Sequence, residues 1–201
     1  LIGIADLSAK VVDKYYEIPR DKKPRPVTVV ASSSCFVPKP FTPFQWDAQD
    51  TYQEFAEKAK IVKSHISRKQ IKYNYHDAKL SSLEGVMARG DRRVSAAIYK
   101  AWEKGCRFDS WSELFLFDKW MEAFEETGVD PAFYANRKRS FDEILPWDHI
   151  SIGVTKQFLI NERKKAEMAI TTPNCREQCS NCGAAAFGGG VCFESREKNK
   201  I

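Results

Sequence analysis

From Leu1 the apolar positions recur at helical intervals, at Leu1, Ile4, Leu7 or Ser8, Val11, Val12 and Tyr15, which predicts an amphipathic helix over residues 1–16. The three prolines of "IPRDKKPRP" end it. Residues 27–37, "VTVVASSSCFV", open with β-branched side chains and narrow to small ones, the pattern of a buried strand whose far end leaves room beside it. A stiff turn, "PKPFTPFQW", follows. Asp47 or Asp50 is then placed to cap a helix whose inward stripe is Tyr52, Phe55, Ala59, Val62 and Ile66. Residues 71–77, "IKYNYHD", alternate like a second strand. Helix, strand, helix, strand is the signature of parallel βαβ architecture.

Beyond residue 79 the pattern turns helical. "LSSLEGVMARG" predicts one helix, and "RRVSAAIYKAWEKG" another, with Val94, Ala97, Ile98, Ala101 and Trp102 on one side and Gly105 as its stop. "SWSE" offers a capping box, Ser110 with Glu113, ahead of Leu114, Phe117, Met121 and Phe124, and Gly128 closes that helix. A last helix is expected from about Val154 to Met168. The expected organisation is 1–78 as βα units, 79–170 as a helical extension and 171–201 as a cysteine-rich tail.

Composition adds little to this until charge and cysteine are considered. The chain has 201 residues, 43% hydrophobic and 29% charged, with thirteen Phe and five Trp, an ordinary globular balance. Its net charge of +5, from 32 basic and 27 acidic residues, permits a polyanionic partner without demanding one. No stretch approaches the ~20 apolar residues of a membrane span, so no membrane partner and a cytoplasmic location are expected. The helical pattern is already under way at Leu1, where no Met stands, so the chain is expected to be part of a longer polypeptide.

Four of the six cysteines, Cys175, Cys179, Cys182 and Cys192, fall within eighteen positions, and the first three are spaced C-x3-C-x2-C. Clustered thiols in a reducing compartment point to metal rather than disulfide chemistry. Gly183 and the run Gly188 to Gly190 allow the tight turns by which a short loop wraps an ion. Four thiolates can close a tetrahedral zinc site or hold a 4Fe-4S cube, and a triad with a distant fourth cysteine leans toward the iron-sulfur reading. Cys35 and Cys106 each stand alone and read as small core residues.

The ordered stretches "SCFVPKPFTPFQW", "HDAKLSSLEGVMARGDRR", "AWEKGCRFDSWSE", "PWDHISIGVTKQFL" and "TTPNCREQCSNCG" resemble successive landmarks in the C-terminal part of a family of radical S-adenosylmethionine (SAM) proteins with an N-terminal cobalamin-binding-like domain and no agreed substrate. The resemblance implies an α/β fold, with residues 1–78 as the second half of a radical SAM (β/α) barrel, followed by the helical extension and a small metal-binding knot. It implies 4Fe-4S and SAM as cofactors, with cobalamin a further candidate and zinc the alternative metal for the tail. The catalytic C-x3-C-x2-C would lie upstream, in the missing half of the same barrel, and the cluster of this chain would be auxiliary.

Parallel barrels place ligands at the C-terminal ends of their strands. Ser32, Ser34 and His76 occupy such positions and are expected to contact SAM, although serines can equally satisfy local backbone. Lys39 and Trp46, in the proline-rich turn, could stack and steer a base or pack over the barrel rim. Glu84, Arg89, Asp91 and Arg92 are expected either at the substrate or in an ion-pair network bracing the helices. His149 reads as a structural histidine or a general acid. RNA or ribosome modification is the substrate class these features suggest. The rival reading is a non-catalytic four-cysteine zinc module that binds RNA or a protein.

Overall fold

A computed structural model describes residues 1–23 and 25–187. The first helix, α1 (Ile2–Glu17), lies over strand β1 (Val29–Ser33). A second helix, α2 (Tyr52–His65), connects β1 to β2 (Ile71–Tyr75). The two strands pair in parallel, from Val29 opposite Ile71 to Ser33 opposite Tyr75. The expected βαβ unit is thus present, as a two-stranded sheet.

Alternation along the strands divides the sheet into two unlike faces. Val29, Ala31, Ile71 and Tyr73 pack with Val12, Ile4 and Ala9 of α1 and with Ile66 after α2. On the other face Val30, Ser32, Lys72 and Asn74 are exposed, Val30 at 55%. Parallel sheets are ordinarily covered on both faces, and here the helices cover one. α1 also carries more apolar surface than its neighbours bury. Ala5, Ser8 and Val12 are buried, while Leu7 and Val11 of the expected stripe face outward.

The cap of α2 differs from expectation. Thr51, not Asp47 or Asp50, closes it: its hydroxyl accepts from the Glu54 amide at 3.3 Å, and the Glu54 carboxylate accepts from the Thr51 amide at 2.7 Å. Asp47 is instead bound by Arg163, which reaches it across the fold.

Five helices follow: α3 (Ala78–Arg89), α4 (Val94–Glu103), α5 (Phe117–Thr127), the short α6 (Pro131–Ala135) and α7 (Lys156–Glu167). Asp77 caps α3 by accepting from Leu80 N at 2.8 Å. The capping box expected at Ser110 and Glu113 is not used, because the chain turns through 108–115 and α5 begins only at Phe117. Within α4, Val94, Ala97 and Ala101 are buried, whereas Ile98 and Trp102 of the expected stripe are exposed. α6 was not anticipated; Asp130 caps it and Pro131 opens it.

The extension has a core of its own, with Leu83, Val86, Ala97, Ala101, Trp120, Phe124 and Tyr134 among its members and Cys106 buried within it. A second core joins Trp46 to Leu145, Trp147 and Leu159. Chain from both sides of residue 78 therefore shares one interior. Gln49 Nε2 donates to the Ser81 carbonyl at 2.8 Å, and Asn136 Nδ2 donates to the carbonyls of Gln49 at 3.0 Å and Asp50 at 3.2 Å. The proline-rich turn is embedded in the helical extension it was expected to precede. No helix among the described residues is long and apolar enough to cross a membrane.

Candidate functional site

A cleft of about 690 Å³ opens at the C-terminal ends of the two strands, walled by the start of α1 and by α2. Its floor is fixed by the sheet. Ser33 and Tyr73 share a hydrogen bond of 2.6 Å between their hydroxyls, the His76 amide donates to the Ser33 carbonyl at 3.3 Å, and the Cys35 thiol lies 3.9 Å from the His76 carbonyl. Tyr75 packs beside Tyr73, with ring centroids 5.3 Å apart. On the α2 side, Asp50 and Lys58 form an ion pair.

Of the three residues expected at SAM, Ser34 and His76 line this cleft. Ser32 does not: one position before Ser33, which faces the cleft, it stands on the open face, in register with Asn74. The sheet therefore offers polar groups on both sides of its strand ends. Asn74 was overlooked by sequence reasoning, although the alternation in "IKYNY" places it opposite the tyrosines.

The residues expected at the substrate do not converge. Trp46 is 1% exposed and meets Phe141 edge-on at 5.0 Å; of the two uses expected for it, it packs, in the second core, and does not offer a face to a base. Arg89 is likewise interior, at 0% exposure, with Nη1 donating to the Ala135 carbonyl at 2.8 Å. Lys39 and Glu84 pair with each other and tie the turn to α3. Asp91 accepts from Arg93 and from the Tyr134 hydroxyl, the latter at 3.0 Å. The Arg93 hydrogen bonds hold its carboxyl down at about 2 despite the opposing effect of burial. Arg92 is exposed. What looked like one cluster in "LEGVMARGDRR" is spread around a helix end, because successive positions there point to different sides.

The cysteine tail returns to the start of α7. Thr155, the cap of α7, donates its amide to the Cys182 carbonyl at 2.9 Å. Gly183 follows at φ +100°, and a Cβ there would lie 2.5 Å from the Gly153 carbonyl, so both conformation and space call for glycine. Ala184 N approaches Cys182 Sγ at 3.4 Å, the type of amide-to-sulfur contact that stabilises a thiolate. Cys175 and Cys179 are exposed and Cys182 is half-buried. Among the described residues no three His, Cys, Asp or Glu side chains are gathered as a metal cage. Cys192 lies outside the described residues. Nearby, a cleft of about 510 Å³ is lined by Trp147, Asp148, His149, Thr155 and Lys156, with His149 exposed at its rim.

The chain matches no family model, no curated protein and no solved structure.

Proposed function

We propose that this chain is the C-terminal part of a radical SAM iron-sulfur enzyme, a barrel sector followed by a helical extension whose cysteine tail holds an auxiliary 4Fe-4S cluster. The observation that carries the reading is the one-sided parallel βαβ unit. Its helices lie on one face, as on the outside of a barrel. Its other face, bearing Val30, Ser32, Lys72 and Asn74, is left open as an inner wall would be before the remaining strands close on it. The ordered motif series supports the same family.

In such an enzyme the upstream cluster and SAM supply the radical that removes hydrogen from the substrate. The residues of this chain would bind and orient. Ser34 and His76 line the strand-end cleft, while Ser32 and Asn74, on the open face, would present a hydroxyl and a carboxamide to the interior of the completed barrel. At the tail, Cys175, Cys179 and Cys182 with Cys192 form a donor set suited to iron-sulfur or zinc. Cys182 is held by its carbonyl at Thr155, and its sulfur faces an amide donor. An RNA substrate fits the chain's net positive charge.

Anaerobic purification with iron, sulfide and zinc quantified on one sample tests the reading. Iron and sulfide in near-equal amounts with a brown absorption, lost on Cys179→Ser or Cys182→Ser, are expected. One zinc per chain and no colour after iron-sulfur reconstitution would overturn the auxiliary cluster. Absence of a second C-x3-C-x2-C upstream in the parent reading frame would overturn the enzyme class.

A further inference from the structure

Two arginines lie wholly inside this protein and, among the described residues, have no acid to pair with. Arg89, at the end of α3, is 0% exposed, and Arg139, in the loop after α6, is 3% exposed. Buried charges are ordinarily paired, since a guanidinium removed from water without a counter-charge costs several kcal/mol. Among the described residues, no carboxylate lies within ion-pair distance of either.

Their hydrogen bonds run instead to backbone. Arg89 Nη1 and Nη2 donate to the carbonyls of Ala135 at 2.8 Å and Gln45 at 3.5 Å, and Arg139 Nη2 donates to those of Arg89 at 3.0 Å and Tyr134 at 3.3 Å. Carbonyl dipoles offset part of the charge and none of its sign. Three N–H groups remain buried and unpartnered, Arg89 Nε and Arg139 Nε and Nη1, and the Trp46 indole N–H in the adjoining core is unpartnered too. Every one of these is a donor.

The nearest acids are already engaged. Asp47 accepts two bonds from Arg163 Nε and one from its Nη2, and Glu143 accepts from Arg137 at 2.8 and 2.5 Å. Both carboxylates, and Arg137, act on Arg89 through space. Arg163 holds Glu167 as well, and Asp91, which acts on Arg139 through space, is held by Arg93, so among the described residues the two innermost arginines have no carboxylate in contact. Burial first, and Arg139 second, bring the Arg89 guanidinium down to about 10, which still leaves it charged at neutral pH.

We propose that this interior, between the Gln45–Asp47 turn, the end of α3 and the loop after α6, holds one small inorganic anion of halide size between Arg89 and Arg139. A monatomic ion suits the donor set because it accepts from several N–H groups without imposing a geometry. It suits the surroundings as well: Trp46, whose carbonyl accepts from the Arg139 amide, and Trp147, whose ring centre lies 5.3 Å from the Arg139 guanidinium, are both buried, and neither arginine lines the strand-end cleft or the cleft at α7. A polyatomic ligand such as a phosphate ester would need an opening there. The inference rests neither on the radical SAM reading nor on the cysteine tail.

The test is thermal unfolding of the full chain in sodium bromide, chloride and gluconate at matched ionic strength, gluconate being too large to enter. Binding to the folded state alone predicts a melting temperature that rises by roughly 3–5 °C per tenfold increase in halide above its dissociation constant, no such rise in gluconate, and loss of the difference in Arg139→Met. Equal slopes in the three salts, or a halide slope kept in Arg139→Met, would overturn the proposal. Should Arg139→Met fail to fold, a bromide-soaked crystal decides: an anomalous peak between the two guanidinium groups supports the site, and ordered water without that peak rejects it.

Discussion

The backbone amide of Thr155 donates to the carbonyl of Cys182 at 2.9 Å, so the residue that caps α7 also anchors the cysteine tail. One short segment thus joins a helix start to a candidate metal ligand. Gly183 makes the join possible, through a left-handed backbone pressed against Gly153. Gly183→Ala is expected to lower bound metal per chain by at least half on the proposed reading, while global stability falls by less than about 1 kcal/mol, because the tail is exposed. Metal analysis alongside urea denaturation checks both. Unchanged metal content would mean that the anchor does not position the ligands.

Two glycines predict effects of opposite sign. In α3, Gly85 is buried and faces Gln49, whose carboxamide a Cβ would overlap. Gly85→Ala should displace Gln49, break its bond to the Ser81 carbonyl and destabilise by about 1–3 kcal/mol. Gly3, near the start of α1, has nothing within 4 Å of a built Cβ. There alanine should stabilise, by up to ~0.5 kcal/mol, somewhat less than in mid-helix. Denaturation midpoints of the two variants should move in opposite directions.

Asp91 links stability to pH. Its carboxyl titrates at about 2 in the folded protein against an ordinary 3.8, because Arg93 and Tyr134 bind the ionised form. A depressed folded value gives stability that is complete above the unfolded value and lost as pH falls through the folded one. The partly exposed setting limits the gain to about 1–2 kcal/mol. Asp91→Asn should therefore cost that amount at pH 7, with the gap to the parent chain closing between about pH 4 and 2. A gap that stays constant across this range would assign the cost to packing instead.

Capping at α2 provides an independent check on local structure. Thr51→Ala removes the hydroxyl that accepts from Glu54 N and should cost about 1 kcal/mol. Asp50→Ala removes only the surface pair with Lys58 and should cost under ~0.5 kcal/mol. If the two costs were reversed, the cap would lie where the sequence first suggested.

The outline of the fold was legible because it is written in short periods. Alternation gave β2, β-branched residues narrowing to small ones gave β1, three-to-four spacing gave α1, α2, α4 and α5, and α3 and α7 were expected as helices close to where they stand. Features set by distant chain were not. Nothing near Arg89 or Arg139 announces burial, since an arginine reads as surface until the carbonyls of Gln45 and Ala135 arrive from elsewhere. Ser110 and Glu113 satisfy the capping spacing, yet Trp111 N bonds to the Phe108 carbonyl and Leu114 N to that of Trp111, and these turns hold the chain out of the helix. At the candidate site, the position of Ser34 and His76 at strand ends was readable. The separation of Ser32 from them was not: strict alternation would put Ser34 on the face of Ser32 and His76 on that of Asn74, but both lie just past the strand ends, at Ser33 and Tyr75, where the alternation stops.

The open face of the sheet gives the sharpest contrast between adjacent positions. Val30 is 55% exposed, while its neighbour Ala31 is buried against α1. Ala31→Asp would put a carboxylate among Val12, Ile71 and Val29, at a cost of 3 kcal/mol or more by the usual penalty for an unpaired buried charge. Val30→Asp, beside Lys72 across the register, should cost under ~0.5 kcal/mol in the isolated chain. Denaturation of both variants at low protein concentration measures the difference. If Val30→Asp destabilised as strongly as Ala31→Asp, the face would be covered in solution, and light scattering on the parent chain would then reveal the association that covers it. If it did not, the face would be free in this chain, as the barrel-sector reading requires: a wall awaiting strands from elsewhere, with Ser32 and Asn74 turned toward the space they would enclose.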